Sequence, residues 1–522
     1  MGWSARTLGA VAFLTSIAVC GGSTVATADV KLPAIFGSNM ALQAGREVSV
    51  WGSADPGEEV TVAIDGLQAA ATAAADGSWR VKLPAHGPGG PHVLEVTGKN
   101  RIRLENVVYG QVWLNAGQSN MYWPMRLCRN AEAEMAKADD PDLRLFTVTE
   151  AASEEPSRDL KGKWEVCTPK TAAVFSGVAY FFGRRLRQEL GQPVGLVAAS
   201  VGNSRINLWI PHEALQRDED YPVMRERRDA MKRTHEAAVA AWERDLAAWK
   251  ERAKPDEKPP AKPQANPPFV RRNDALGTRY HAMISPLGPM AIAGVNWYQG
   301  ESNVDRGVQY FRLLPLLIAS LRNQFESPQL PVMIVQLPNM HGPDRTPPAN
   351  AIWSEVRAAQ AATAAADPAV GLAVTIDLGG LPNESPVIHP ANKQDVGDRL
   401  ARQALAIVYG RELVDSGPTY RTHAVADGKL RITFDNTQGG LVTKDGKAPR
   451  AFTIAGRDDV QHWADAVIDG DSVVLSSPLV PEPVWARYAW TNNPNVNLYG
   501  KGGLPAAPFR TDSLPLSTQF NR

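Results

Sequence analysis

A serine hydroxyl becomes a useful nucleophile when a base takes its proton and donors hold the oxyanion that forms on the substrate. The stretch "LNAGQSNMYW", residues 114–123, sets Ser119 in a small polar turn between an apolar run and an aromatic patch. Such a turn is either a plain connection or a device that presents Ser119 for attack. The base candidate is His389, in "ESPVIHPANKQDVGDRLARQAL", one of nine histidines in the chain. Donor candidates stand in two further polar turns. Gly202 in "ASVGNSR" can offer a backbone N–H with no side chain in the way. Gln299 in "WYQGESN" can offer a side-chain amide. Taken singly, these residues are equally a surface histidine, a tight turn and a buried hydrogen bond. Only elements that bring them together turn them into chemistry.

Such elements are legible from residue 107 onward. "VVYGQVWLNAG", "PVGLVAAS", "AIAGVNWYQG", "PVMIVQLP" and "GLAVTIDLG" are continuous apolar runs, the pattern of strands buried on both faces. Helical stretches such as 178–190 and 310–324 lie between them, which predicts an α/β domain with a parallel sheet and helices on both sides. Several strands end in small or polar residues, at 117–119, 200–204, 299–303 and 377–380. Ligands of open α/β sheets bind outside the carboxyl ends of the strands, so Ser119, Gly202 and Gln299 are expected on one edge. His389 follows the expected strand 372–376 and joins that edge.

This domain is flanked and interrupted. Residues 29–105 alternate at β-sandwich spacing ("REVSVWG", "EEVTVAIDG", "GSWRVKLP", "PHVLEVTG"), and short strands return after about residue 413 ("KLRITFDN", "AFTIAG", "AVIDGDSVVLSS"). The expected division is therefore a β domain at 29–105, an α/β domain at 106–412 and a second β domain at 413–522. An insertion at about 213–270 is charged and helical to residue 253, with Val239, Trp242, Leu246 and Trp249 at 3-4-3 spacing, then rich in Pro and Lys. It reads as a helical hairpin with a stiff arm and a solvated face, its apolar pattern being short for a partner-binding coiled coil.

Composition narrows the partners. A chain of 522 residues accommodates about three folded units. Its 55 basic and 55 acidic residues cancel, which gives no electrostatic case for nucleic acid or an anionic membrane surface. The 14 tryptophans suit sugar-stacking surfaces and β-sandwich cores alike. Arg6, the apolar run 8–20 and Ala26-Thr27-Ala28 read as a secretory signal peptide, residues 1–28, so a secreted or periplasmic protein is expected. The run is shorter than the roughly 20 apolar residues of a spanning helix. Export leaves Cys128 and Cys167, either a disulfide or two buried thiols, with no nearby His for a zinc site.

The motifs carry a resemblance. "GQSNM", "WYQGESN" and "IHPANKQDVGDRLA", in that order, resemble the sialate O-acetylesterases, a branch of the SGNH hydrolases. "LPAIFGSNMALQ", "FSGVAYFFGRRL", "ARYAWTNNPNVNLYG" and "GLPAAPFRTD" extend the likeness over nearly the whole mature chain. The resemblance implies a flavodoxin-like hydrolase domain flanked by β-sandwiches. It implies Ser119 as nucleophile, His389 as general base, and the Ser119 N–H, Gly202 and Gln299 around the oxyanion, with no metal or organic cofactor. Two departures stand out. The family's Asp, two or three residues before the catalytic His, is replaced by Val387 and Pro386. Either a backbone carbonyl orients His389, giving a dyad, or a carboxylate does so, Glu384 before Glu301 or Asp377. Glu301 also suits a structural role at its strand end, and Asp377 a brace for the loop. In "GNSRINLW", where the family reads Gly-Gly-Thr, Asn203 becomes an extra oxyanion donor candidate. Arg205 there either contacts substrate or packs against the insertion.

The expected function is an exported carbohydrate O-acetylesterase acting through a serine acyl-enzyme, as a monomer or homodimer. Its substrate is an acetylated sugar of hemicellulose, such as xylan or xyloglucan, or sialic acid, with Trp123 placed to stack on a sugar ring. The alternatives are a sugar-binding protein without catalysis and a short-chain esterase of another substrate class.

Overall fold

The computed structural model describes Met1 and residues 29–252, 257–263, 275–340, 351–379 and 388–522. The expected signal peptide and Glu384 lie outside the described residues. No helix among the described residues is long and apolar enough to cross a membrane.

The centre of the molecule is a sheet whose strands run in the order Val370–Ala373, Val332–Val335, Gly294–Tyr298, Arg101–Gly117, Val194–Ser200, Asp140–Thr147 and Trp164–Cys167. All neighbours are parallel except the last pair. Strands Gly294–Tyr298 and Val332–Val335 are buried at every position, as continuous apolar runs require when helices cover both faces. Without the edge strands Asp140–Thr147 and Trp164–Cys167, the chain order across the sheet is 2-1-3-4-5, that of the flavodoxin-like doubly wound fold. The order reverses at Arg101–Gly117. In register, Gly117 faces Ser200 on one side and Tyr298 on the other. Three polar turns therefore leave the sheet at the same level, around its switch point.

Gly117 makes that convergence possible. Its φ is +144°, and a Cβ there would lie 2.1 Å from the carbonyl oxygen of Tyr298. Any side chain would push the two strands apart just before Ser119.

Arg101–Gly117 is 17 residues long and belongs to two domains. Its first half pairs antiparallel with Gly89–Thr97 of the N-terminal β domain, and Ala41–Gln43 pairs parallel to its middle. The expected boundary at 105/106 falls inside this one strand, and a continuous hydrophobic core runs from the β domain into the α/β domain. The C-terminal strands form a four-stranded antiparallel sheet from Thr419–Ala426, Lys429–Asp435, Ser472–Ser476 and Asp465–Asp469, with smaller sheets beside it and a separate core. Asp377, at the end of the α/β domain, joins the two units. Its carboxylate pairs with Arg399 at 2.6 Å and accepts from the Tyr499 hydroxyl at 2.8 Å.

The insertion is helical in its charged part, and residues 253–256 and 264–270 of it lie outside the described residues. Among the described residues it carries the 32-residue helix Tyr221–Arg252, in which only Met224 is buried. Its described Pro-rich residues, 257–263, pack back on that helix: Trp242 Nε1 donates to the Pro260 carbonyl at 2.9 Å, and Lys262 sits over the Trp242 ring.

Candidate active site

Ser119 opens a one-turn helix, Ser119–Tyr122, directly after the central strand. A residue in the first turn has no intrahelical acceptor for its N–H, so that donor is available at the sheet edge. Gly202, in the turn after Val194–Ser200, packs against Ser119: a Cβ on Gly202 would lie 3.9 Å from the Ser119 Cβ. Asn203 adopts a left-handed conformation (φ 53°), and its Oδ1 accepts from the Ser302 hydroxyl at 3.3 Å. It thus bridges the second and third polar turns.

Gln299 lies in the same cluster, but its amide does not face outward. Its Nε2 donates to the Ser204 carbonyl at 3.0 Å and to Asn303 Oδ1 at 2.8 Å, and its Oε1 accepts from the Tyr310 hydroxyl at 2.9 Å. Both amide hydrogens are thereby spent on lacing the turns together, and the residue is fully buried. In this arrangement Gln299 braces the turn and offers no spare donor. Gln118, just before Ser119, does similar work, its Oε1 accepting from the N–H groups of Gly300 and Ser302 at 3.4 and 3.3 Å.

His389 is carried by the loop that leads into helix Lys393–Ile407. That helix is capped by Asn392, whose side chain accepts from the Asp395 N–H at 3.2 Å. It packs closely on helix Gly177–Leu190, where Gly397 leaves room for Phe181 and Phe182. The loop is tied to the nucleophile's turn through Asn120. This fully buried amide donates to Glu301 Oε1 at 2.5 Å and to the Ile388 carbonyl at 2.9 Å, and accepts from Lys393 Nζ at 2.5 Å. Ser119 and His389 are therefore chain neighbours of groups that bond one another.

The imidazole is held by stacking. Trp123 lies on the His389 ring, with centroids 4.8 Å apart and planes 20° from parallel, and the indole is fixed by its own Nε1 donating to the Leu127 carbonyl at 3.0 Å. One face of Trp123 is thus occupied by His389. Both ring nitrogens of His389 are buried without a hydrogen-bond partner among the described residues. Of the three carboxylates named for orienting it, Asp377 is consumed by Arg399 and Tyr499, and Glu301 gives one oxygen to Asn120 while its Oε2 is buried with no partner among the described residues. Glu384 lies outside the described residues. Burial, and secondarily the Lys393 ammonium, hold the His389 pKa below the ordinary histidine range, which favours the neutral ring a base requires. Burial pushes the Glu301 carboxyl up, against the opposing pull of the Asn120 hydrogen bond and of Lys393.

The charged candidate beside the site is paired. Arg205 Nη2 bonds Asp305 Oδ2 at 2.9 Å, which places it against the turn Glu301–Arg306.

The comparisons with known proteins agree on one lineage. Residues 271–406 match the family model described as carbohydrate esterase, sialic acid-specific acetylesterase. Sialate O-acetylesterases of Rattus norvegicus and Homo sapiens are 29% and 27% identical to this chain, each over 88% of it and over 90% and 88% of their own lengths. A carbohydrate acetylesterase from Xanthomonas citri, known by its crystal structure, is 33% identical. It superposes with a TM-score of 0.78 over 93% of this chain and all of that one. The chain belongs to the sialate O-acetylesterase family. It is accordingly a carbohydrate acetylesterase, a hydrolase of carboxylic esters.

Within this esterase, two residues escaped the sequence reading although they stand inside its motifs. Asn120 lies in "GQSNM" and Lys393 in "HPANKQD", but nothing in their spacing says that they meet. The cysteine question resolves to thiols. Cys128 and Cys167 are both free and buried, each against a backbone carbonyl, and burial pushes both thiols up to about 12. The tryptophan content is largely core: Trp113, Trp209 and Trp297 are among the largest fully buried side chains.

Proposed function

We propose that the esterase removes O-acetyl groups from neutral, hemicellulose-type sugars through a serine acyl-enzyme. The neutral His389 ring takes the Ser119 proton as Oγ attacks the acetyl carbonyl. The oxyanion is held by backbone donors, the Ser119 N–H and the Gly202 turn, with Asn203 beside them. The sugar hydroxyl leaves with the proton from His389, and water then releases acetate by the reverse sequence. The observation that carries this reading is the convergence of Ser119, Gly202 and the Trp123-stacked His389 at the sheet's switch point.

In this proposal His389 needs no carboxylate. Stacking on Trp123 sets the plane of the ring, and the carbonyl contact of the loop through Asn120 sets its position. Apo geometry that lacks the serine–histidine hydrogen bond is compatible with this, because catalytic hydrogen bonds often tighten only when substrate binds. The choice of neutral sugars rests on Arg205. Of the two arginines near the nucleophile that could meet a sialate carboxylate, Arg205 is engaged by Asp305, and Arg126 lies exposed in the turn after Trp123. The signal-like residues 1–28 support export.

The test is acetate release from acetylated xylan, xyloglucan and sialic acid, by wild-type protein and Ser119→Ala. We expect turnover of the neutral polysaccharides and loss of nearly all activity in the variant, whose remaining groups supply little without the nucleophile. Activity confined to acetylated sialic acid would refute the substrate assignment, and wild-type turnover by folded Ser119→Ala would refute the mechanism.

A further inference from the structure

We propose that Asp65, His86 and His92 bind a divalent transition-metal ion in the N-terminal β domain, at a site separate from ester hydrolysis. Asp65 sits at the tip of the hairpin between Glu59–Ile64 and Leu67–Thr72, His86 in the loop after Ser78–Leu83, and His92 on strand Gly89–Thr97. One potential ligand atom from each residue lies within 4.8 Å of the others. His86 Nε2 is 3.0 Å from Asp65 Oδ2, and His92 Nδ1 is 3.4 Å from Asp65 Oδ1. Two ligands bonded at about 2.0–2.1 Å to one ion, at about 90–110° from each other, stand about 2.8–3.4 Å apart. Both histidine–carboxylate separations fall in that range, one to each Asp65 oxygen, and an imidazole pair with a carboxylate suits zinc, nickel or copper.

Hydrogen-bond accounting points the same way. His86 Nδ1 lies 2.7 Å from the Gly87 carbonyl, which can only accept, so Nδ1 carries a proton. In a neutral ring Nε2 then aims a lone pair at a carboxylate oxygen 3.0 Å away. That contact needs a positive charge shared by the two atoms, either a proton that makes an ion pair or a metal ion bound to both. A ring N–H donating to a carbonyl while the other nitrogen faces the ion is the usual outer support of a metal-bound histidine. The ring is also fixed from the side, since Tyr109 stacks on His86 with centroids 4.4 Å apart and planes 23° from parallel. Tyr109 is fully buried, and its hydroxyl has no partner among the described residues. His92 Nε2 is likewise buried without one, so nothing described draws that ring away from Asp65.

The ion would rivet the hairpin tip and the 84–92 loop onto the strand that carries Tyr109. That strand reaches Gly117 eight residues later, about 25 Å away at 3.3 Å per residue. Ester turnover should therefore be indifferent to the ion, which separates this inference from the catalytic one.

The experiment titrates zinc chloride alone into the tag-free, EDTA-stripped full chain by calorimetry, with Asp65→Asn and His86→Ala in parallel. We expect a single zinc ion to bind the wild type and raise its Tm. Each variant should weaken binding by at least about tenfold, the scale on which even supporting contacts of metal sites act. Turnover of an acetyl ester without metal should match the wild type in both variants, showing that they are folded; Asp65→Asn keeps size and shape in case His86→Ala does not fold. Failure of zinc to bind the wild type would overturn the proposal and leave a histidine–carboxylate ion pair. Equal affinity in the wild type and both variants would also overturn it, by placing the ion elsewhere.

Discussion

Replacing Asn120 with Ala should damage stability and turnover together, through a side chain that touches neither the proposed nucleophile's oxygen nor the proposed base. The amide holds three partners in a fully buried place: Glu301, the Ile388 carbonyl and the Lys393 ammonium. Hydrogen bonds to charged groups contribute about 1.5–3 kcal/mol and a neutral one about 1 kcal/mol, and leaving the partners buried adds to the loss. Relaxation around the small gap returns part of this. We take about 4 kcal/mol as the net cost, near the upper edge for a single substitution. At roughly 2 °C per kcal/mol for a domain of this size, Tm should fall by about 8 °C. The catalytic effect follows from chain connectivity. Ile388 precedes His389, so freeing its carbonyl lets the proposed base drift. A displacement of about 1 Å costs on the order of 10²-fold in rate. The assays are thermal unfolding and steady-state hydrolysis of an acetyl ester at a temperature where the variant is folded. An unchanged Tm would refute the energetic reasoning. A lowered Tm with wild-type kcat would refute the positioning role and leave Asn120 a structural residue only.

Other outcomes follow from the same geometry. Since the neutral His389 ring is the proposed base, kcat/KM should rise with pH through a group below the ordinary histidine range; Lys393→Met removes a charge that opposes protonation, so this limb should move to higher pH, and a limb that stays put would discount Lys393. With no described carboxylate on His389, Glu384→Gln should lower kcat by less than about tenfold, equivalent to about 1.4 kcal/mol; a loss of three orders of magnitude at unchanged Tm would establish a displaced triad. Asp377→Asn should cost about 3–5 kcal/mol, because it leaves the buried Arg399 charge without its carboxylate. Against the cost of burial, Arg399 holds the folded Asp377 carboxyl below the ordinary carboxylate range, so its stabilisation is present above about pH 4 and lost as pH falls through the lowered value. Acid unfolding of the wild type and variant, compared from pH 6 to 2, measures this: the two curves should converge at the acid end, and parallel curves would contradict it.

Much of the α/β architecture and the position of Ser119 could be read from the chain because both are local. A run such as "AIAGVNWYQG" can satisfy its hydrophobic side chains only between two helical layers, and a polar turn after it can lie only at a strand's end. The same locality explains the errors. Charge and 3-4-3 spacing show that the 221–252 segment is a helix, but not that the Pro-rich residues after it pack back on Trp242. The apolar run that ends the β domain reads as one domain's edge, while the strand continues into the next domain's centre.

What the sequence by itself determined is the set of elements and the residue types at their ends, since periodicity, turn chemistry and motif order are properties of neighbours along the chain. Tertiary structure alone decided which of those residues face outward and which are consumed. Gln299 reads as an available amide until Ser204, Asn303 and Tyr310 are found around it. Asn120, Glu301 and Lys393 read as unrelated polar residues until burial forces their hydrogen bonds onto one another. The three side chains of the proposed metal site stand 21 and 6 residues apart in the chain, with no ligand spacing to betray them. The physical reason is common to all of these cases. A buried polar group must find its partner in space, and the sheet's register, which is set by contacts far apart in sequence, determines which partner that is.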